Sequence, residues 1–194
     1  APSTSCVISG LEDRISYKFA TTATNSAGTS TSSGASTAVT PAGKPSIVTG
    51  VSATASNASA AVRFTAPAST GGAPIASYTV TASTGQTCVI TPTFPNPLVC
   101  NFTNNLTNGT AVTFTVRANN GAYTSDTSTA TIAVTPATVP GAPTGLTGSS
   151  SAPGKATITF TAPTDNGGSA VTDYVVTSSP GGFTCATANP STGC

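Results

Sequence analysis

Apolar residues in this chain recur at every second position over short stretches, and polar, glycine- and proline-rich segments separate those stretches. In residues 61–65, Val62 and Phe64 fall on one side of an extended backbone and Arg63 on the other; Tyr78 and Val80 share a side, as do Val112, Phe114 and Val116. A period of two is that of half-buried strands. Turn signals stand between them at Pro67, Gly71-Gly72 and Pro74, at Pro163 and Gly167-Gly168, and at Pro180-Gly181-Gly182. No stretch carries a helical period. Short strands at this spacing, about seven per hundred residues, predict an all-β chain of Ig-like antiparallel sandwiches.

The pattern repeats. VRFTAP at 62–67 returns as ITFTAP at 158–163, and IASYTVTAS at 75–83 as VTDYVVTSS at 171–179. Tyr78 corresponds to Tyr174 (174 − 78 = 96) and Cys88 to Cys185 (185 − 88 = 97). YKFATTATNSAGTS from Tyr17 returns as VTFTVRANNGAYTS from Val112, and both run in register to AVTP, ending at Pro41 and Pro136 (136 − 41 = 95). Residues 42–136 therefore hold one complete unit. Residues 137–194 repeat only its first half and residues 1–41 only its second half. Joining Cys194 to Ala1 restores a continuous second unit, so the expectation is one complete domain flanked by two complementary half-domains, with 137–194 completed by 1–41 of a neighbouring copy. The 194 residues are then one period of a two-domain repeat.

Composition narrows the classes. Lys and Arg number 6, Asp and Glu 5, and charged residues make up 6% of the chain, against about 25% in an ordinary soluble domain. Ser and Thr fill the gap, 65 of 194 residues. The regularly spaced Val, Ile, Phe and Tyr supply a core and argue against disorder. A net charge of +1 offers no basic surface for nucleic acid, and no apolar run is long enough for membrane insertion. No signal peptide is visible, so a secreted protein would show mature or internal sequence here.

The segments that carry the repeat resemble the fibronectin type III family, in the low-charge, Ser/Thr-rich form found in tandem in bacterial extracellular and surface proteins. PGAPTGLTGSS at 140–150 matches its first strand and ITFTAPTDNGGSAVTDYVVTS its second and third. GLEDRISYKFATTATN at 10–25 matches the late signature, with a looser copy, LTNGTAVTFTVRANN, at 106–120. The resemblance implies the sandwich fold and is unspecific as to function. The family's core Trp is replaced by Phe64 and Phe160. Its late Tyr is kept as Tyr17 but is Val112 in the middle domain, so a tyrosine-corner hydrogen bond is expected around Tyr17 alone.

Five cysteines in a polar β-rich chain point to an oxidising compartment, extracellular or at the cell surface. Their spacing is not that of a zinc site, and with 0 histidines nothing completes one. Cys88 and Cys100 flank one hairpin-like region, and a disulfide between them closes a loop worth about 3 kcal/mol in the chain-entropy model. Cys185 aligns with Cys88 and Cys6 with Cys100. The pairing read from this is Cys185 with Cys6 of a neighbouring copy, leaving Cys194 unpaired; the alternative pairs Cys185 with Cys194 and leaves Cys6 free.

Catalytic candidates are few. Without His no Ser-His-Asp or Cys-His arrangement exists. Glu12-Asp13 reads as a solvent-facing turn, and Asp165-Asn166-Gly167-Gly168 as a turn lacking the remaining ligands of a calcium loop. The chain is read as non-enzymatic, with no cofactor and no metal. Asn57, Asn101, Asn105 and Asn108 stand in Asn-x-Ser/Thr triplets and are candidate glycosylation sites, among triplets that a Ser/Thr-rich chain also produces by chance. Tyr123 and Phe94 are loop aromatics, read as packing residues rather than a sugar platform.

The function expected is a structural repeat unit of an extracellular filament, sheath or surface stalk, with copies of itself as partners. Short proline-rich linkers favour extended arrays, the low charge removes repulsion between copies, and unpaired half-sandwich edges demand a neighbour. The alternative is an adhesin or a carbohydrate-binding or spacer module of a larger secreted protein, with glycans as partners.

Overall fold

The computed structural model describes residues 4–92, 98–188 and 191–194. Among them are strands and turns and no helix: β1 (Thr24–Asn25), β2 (Gly28–Thr29), β3 (Thr49–Ser56), β4 (Ser59–Thr65), β5 (Ser77–Ala82), β6 (Thr87–Ile90), β7 (Val99–Phe102), β8 (Phe114–Asn119), β9 (Thr144–Ala152), β10 (Lys155–Thr161), β11 (Asp173–Thr177) and β12 (Thr184–Ala188). The chain falls into two compact units, one of Ala1–Ser52, Val62–Cys100 and Phe114–Thr131, the other of Ala53–Ala61, Asn101–Thr113 and Ile132–Cys194.

Two three-stranded sheets have the orders β3-β4-β7 and β6-β5-β8. The period-two pattern decides which side chains leave water. Val62 and Phe64 of β4, Tyr78 and Val80 of β5, and Phe114 and Val116 of β8 are buried, while Arg63 and Arg117 between them are exposed. Within the first unit the two sheets meet where the Phe64 ring packs at 5.1 Å on Tyr78. The Cys88–Cys100 disulfide ties β6 to β7, with Cα atoms 6.1 Å apart. Strand β5 is the centre of its sheet: Val80 lies opposite Cys88 on β6 and opposite Val116 on β8.

The segment that follows β8 is not an ordinary strand. It meets β8 at every third residue, while β8 advances by two. Ser125 donates its N–H to Ala118 O, Ser128 to Val116 O and Thr131 to Phe114 O, at 2.8 to 3.0 Å. In return the same three side-chain hydroxyls accept the N–H groups of Ala118, Val116 and Phe114. One extra residue per step is a bulge repeated along the edge. A bulged segment cannot present its own carbonyl at each step, and the hydroxyl replaces it as acceptor. This accounts for Ser125, Ser128 and Thr131 being buried although polar.

Residues 17–39 are built the same way. Tyr17 bridges Val39 as Val112 bridges Val134. Ser30, Ser33 and Ser36 donate their N–H groups to Ala23 O, Thr21 O and Phe19 O, and their hydroxyls accept from the N–H groups of Ala23, Thr21 and Phe19. Here the serines are exposed. The expected tyrosine corner is present: the Tyr17 hydroxyl accepts the Glu12 N–H at 3.0 Å.

In residues 137–194, β10 pairs β9 and β11 pairs β12. The sequence leads one to expect that an incomplete sandwich exposes Phe19, Phe160, Tyr174 and Val176. That expectation needs correcting. Phe160 and Tyr174 are 8% and 7% exposed, because their rings pack edge to face at 4.9 Å; Phe19 and Val176 are half-buried.

Candidate functional site

No catalytic constellation emerges among the described residues; the features with specific bonding are two linkers, one open strand edge and the cysteines. The first linker is held by three backbone bonds. Arg14 N–H donates to Pro41 O (3.0 Å), Gly43 N–H to Gly71 O (2.6 Å) and Ser46 N–H to Ser69 O (2.9 Å). The second repeats them about 95 residues on: Gly109 N–H to Pro136 O (2.9 Å), Thr138 N–H to Gly167 O and Gly141 N–H to Asp165 O (both 2.8 Å). Glycine is required at the close approach. Gly71 and Gly167 have φ of 76° and 70°, and a Cβ on either would lie 2.2 Å from a linker carbonyl oxygen, that of Gly43 or Thr138.

Asn120 locks the first linker. Its Nδ2 donates to Gly43 O and to Thr70 O, each at 2.9 Å, and its Oδ1 accepts the N–H groups of Ala122 and Tyr123. All four bonds of a carboxamide are thus used, at a side chain 6% exposed. Asn25, its counterpart (120 − 25 = 95), has the same turn, with Oδ1 accepting from Ala27 N–H at 2.9 Å and Gly28 N–H at 3.2 Å. Its Nδ2 makes no hydrogen bond among the described residues.

Strand β11 carries β12 on one edge, with Val176 opposite Cys185 as Val80 is opposite Cys88. On its other edge no strand stands among the described residues, whereas the corresponding edge of β5 carries β8. Beside β11 lies an apolar groove of about 450 Å³ lined by Pro140, Leu146, Phe160, Tyr174 and Val176 among others.

The cysteines require a correction. The pairing expected was Cys185 with Cys6 of a neighbour and a leftover Cys194. In the structure Cys185 is bonded to Cys194, and Cys6 is the free, exposed thiol. The reason is the path of residues 192–194 along β10. Phe160 N–H donates to Thr192 O as Phe64 N–H donates to Leu98 O, so Cys194 occupies the place of Cys100, two residues further on in each case. A shorter loop, 9 residues of separation against 12, hid this correspondence from the self-alignment.

Of the candidate glycosylation sites, Asn57, Asn101 and Asn105 are exposed and Asn108 is half-buried. Asn57 and Asn108 are engaged with one another: Asn108 Nδ2 donates to Asn57 Oδ1 at 2.8 Å, and Asn108 Oδ1 accepts the Ala58 N–H. Asp165 accepts the Gly167 N–H within its turn. Tyr123 is exposed, and Phe94 lies outside the described residues. Sequence reading missed Asn25 and Asn120 and the hydroxyl ladders. The available signal was Ser or Thr at a spacing of three, at 30, 33 and 36 and again at 125, 128 and 131.

Residues 43–134 match the family model of the fibronectin type III domain, and over that span the all-β antiparallel fold is of this kind. No curated protein matches the sequence. Solved structures similar to it include a titin fragment (24% identity, TM-score 0.47, 65% of this chain). Others are the rat CD45 extracellular region, domains d3-d4 (21%, 0.44, 68%), and the FN1-FN3 domains of chicken CNTN1 (16%, 0.40, 95%). The chain spans 42% of the titin fragment, 70% of the CD45 structure and 66% of the CNTN1 structure. No helix among the described residues is long and apolar enough to cross a membrane.

Proposed function

We propose that this chain, whose residues 43–134 match the fibronectin type III domain, is a non-catalytic structural repeat unit of an extracellular filament, sheath or surface stalk. Copies join head to tail, residues 1–41 of one completing residues 137–194 of the next around the intact domain at 42–136. The observation that carries this reading is complementarity: the edge of β11 lacks the strand that β5 has, and residues 19–25 are the sequence counterpart of that strand, bonded on their outer side to Ser30, Ser33 and Ser36. The repeated linker bonds support it, since a chain of copies repeats its joints. Disulfides at Cys88–Cys100 and Cys185–Cys194 fit an oxidising compartment, and a net charge of +1 leaves copies free to approach one another.

The complementing copy is either a separate chain or the next repeat of a longer polypeptide. Sedimentation and electron microscopy of the 194-residue chain test the association in both cases. The expected result is concentration-dependent linear oligomers that persist in the Cys6→Ser variant, which lacks the one free thiol and so cannot form intermolecular disulfides through it. A single monomeric species up to about 100 μM, roughly the strength of a weak interaction, would refute the proposal and favour a monomeric spacer or glycan-binding module.

A further inference from the structure

Granting head-to-tail assembly, we infer its register and its lock: Phe19–Asn25 of a second copy adds antiparallel to the open edge of β11, with Thr24 opposite Asp173 and Thr22 opposite Val175, and its Asn25 carboxamide closes over the carbonyls of Thr138 and Asn166. The template lies within the chain. On β5, Ser77 faces Asn119, Tyr78 faces Ala118, Thr79 faces Arg117 and Val80 faces Val116. Carried forward by 96 residues on one strand and back by 95 on the other, these pairs become Asp173 with Thr24, Tyr174 with Ala23, Val175 with Thr22 and Val176 with Thr21. The continuation places Phe19 where Phe114 stands, fully buried in the intact domain. The groove beside Phe160, Tyr174 and Val176 is open to receive it.

Asn25 is the second, independent observation. Asn120 bridges Gly43 O and Thr70 O, and the corresponding carbonyls are those of Thr138 (43 + 95) and Asn166 (70 + 96). The linker around them is already in the receiving geometry, since Thr138 N–H bonds Gly167 O as Gly43 N–H bonds Gly71 O. Asn25 is already in the donating one: its turn is closed through Oδ1, and its Nδ2 protons point to no acceptor among the described residues. A partner of other chemistry would have to present both an edge already bonded on its far side and an amide donor at its end. Residues 19–25 of a second copy are bonded on their far side to Ser30, Ser33 and Ser36 and end in Asn25.

The test mixes two full-length proteins, each carrying Cys6→Ser, one with Thr22→Cys and the other with Val175→Cys. Both positions are exposed, and directly opposed residues have Cα atoms about 5.5 Å apart, within disulfide reach. Mild oxidation of the mixture should give a covalent dimer in which the two introduced thiols are bonded to each other, identified by peptide mapping. Val175→Cys mixed with Ala20→Cys, two residues out of register, should give at least about tenfold less. Asn25→Asp keeps the Oδ1 acceptor that closes the turn and removes the Nδ2 donor; it should weaken association about tenfold or more, the loss of two ordinary hydrogen bonds, while moving the thermal transition of the separate chain no more than a surface change does. Oligomers that form but cross-link equally at both registers, or ignore Asn25→Asp, overturn this inference and leave the proposed function standing. No oligomer and no cross-link overturn both.

Discussion

Ser128 and Ser33 occupy the same rung of two copies of one ladder, and the same substitution at each should have very different consequences. Ser128→Ala removes the hydroxyl that accepts the Val116 N–H at 2.9 Å. Val116 is 0% exposed, so water cannot replace the lost acceptor and a buried donor is left unpaired, which costs about 1–3 kcal/mol. The hydroxyl's other bond, to Thr129 O, lies on the exposed side and is recovered by water. Taking about 2 kcal/mol, and about 4–8 °C per kcal/mol for a domain of this size, the midpoint should fall by about 8–16 °C. At Ser33 the hydroxyl accepts the Thr21 N–H at 3.0 Å, but Thr21 is exposed; Ser33→Ala should move the midpoint by no more than about 3 °C, within the usual range for surface changes. Ser128→Thr keeps the acceptor, as Thr131 does one rung along, and should behave like the parent. Thermal unfolding by circular dichroism, with hydrogen exchange read at the Val116 amide, measures all three. Equal shifts at Ser33 and Ser128, or a Ser128→Ala shift under about 2 °C, would refute the ladder argument. Under the proposed assembly the asymmetry should vanish, because the segment around Thr21 would then be covered by β11 of the neighbouring copy.

Two further outcomes follow from single contacts. Asn120→Leu leaves Gly43 O and Thr70 O without their donor and should destabilise by about 2–4 kcal/mol, with faster proteolysis near Gly43 as the local readout; unchanged cleavage would remove the lock from the linker. The hydrogen bond from Lys44, 2.5 Å away, and then its charge hold the Asp126 carboxyl below its usual range. A depressed folded value contributes stability above the unfolded value, about pH 3.9, and that contribution is lost as pH falls through the folded one. Melting curves of the parent and Asp126→Asn should therefore converge in acid and separate by a small, salt-sensitive amount above about pH 4. A gap that persists in acid would mean that Asp126 acts otherwise.

Much of this was legible in the sequence, and the reasons are local. Alternation in 61–65 and 112–116 identified the buried faces, because a strand with one side in water must alternate. The Tyr78–Tyr174 and Cys88–Cys185 correspondences gave the expectation of a repeat. The ladder was not legible by that reading. Its period is three, neither strand nor helix, and its buried members are Ser and Thr, which a search for apolar periodicity discards. Cys194 was misassigned because alignment weighs spacing, while the structure aligns hydrogen bonds to β10 across loops of unequal length. The burial of Phe160 and Tyr174 was missed because a strand set that lacks partners can still pair its own aromatic rings.

Under the proposed assembly, the ladder also bears on how a chain with so few charges would keep its copies from associating at the wrong edge. Sheet edges are commonly guarded by Lys or Glu pointing outward, and 6% charged residues leave little for that purpose. Bulges are the other guard. Along residues 125–131 the chain spends three residues where β8 spends two, about 2.2 Å per residue against about 3.3 Å in a regular strand. The outward N–H and C=O groups of such a segment fall out of step with any regular strand, so pairing cannot propagate along it. The edge of β11 is different. Its five residues pair with β12 without a bulge, so its free edge keeps the regular spacing that a strand needs. Residues 19–24 are the proposed match for it, since their ladder bonds lie on one side only. Shape, rather than charge, then separates the edge that should be joined from the edges that should not. Replacing Ser33 and Ser36 with Val, which would favour a regular strand in place of the bulges, should accordingly convert linear association into lateral aggregation. Micrographs showing unchanged single-width filaments would count against this account of edge selection.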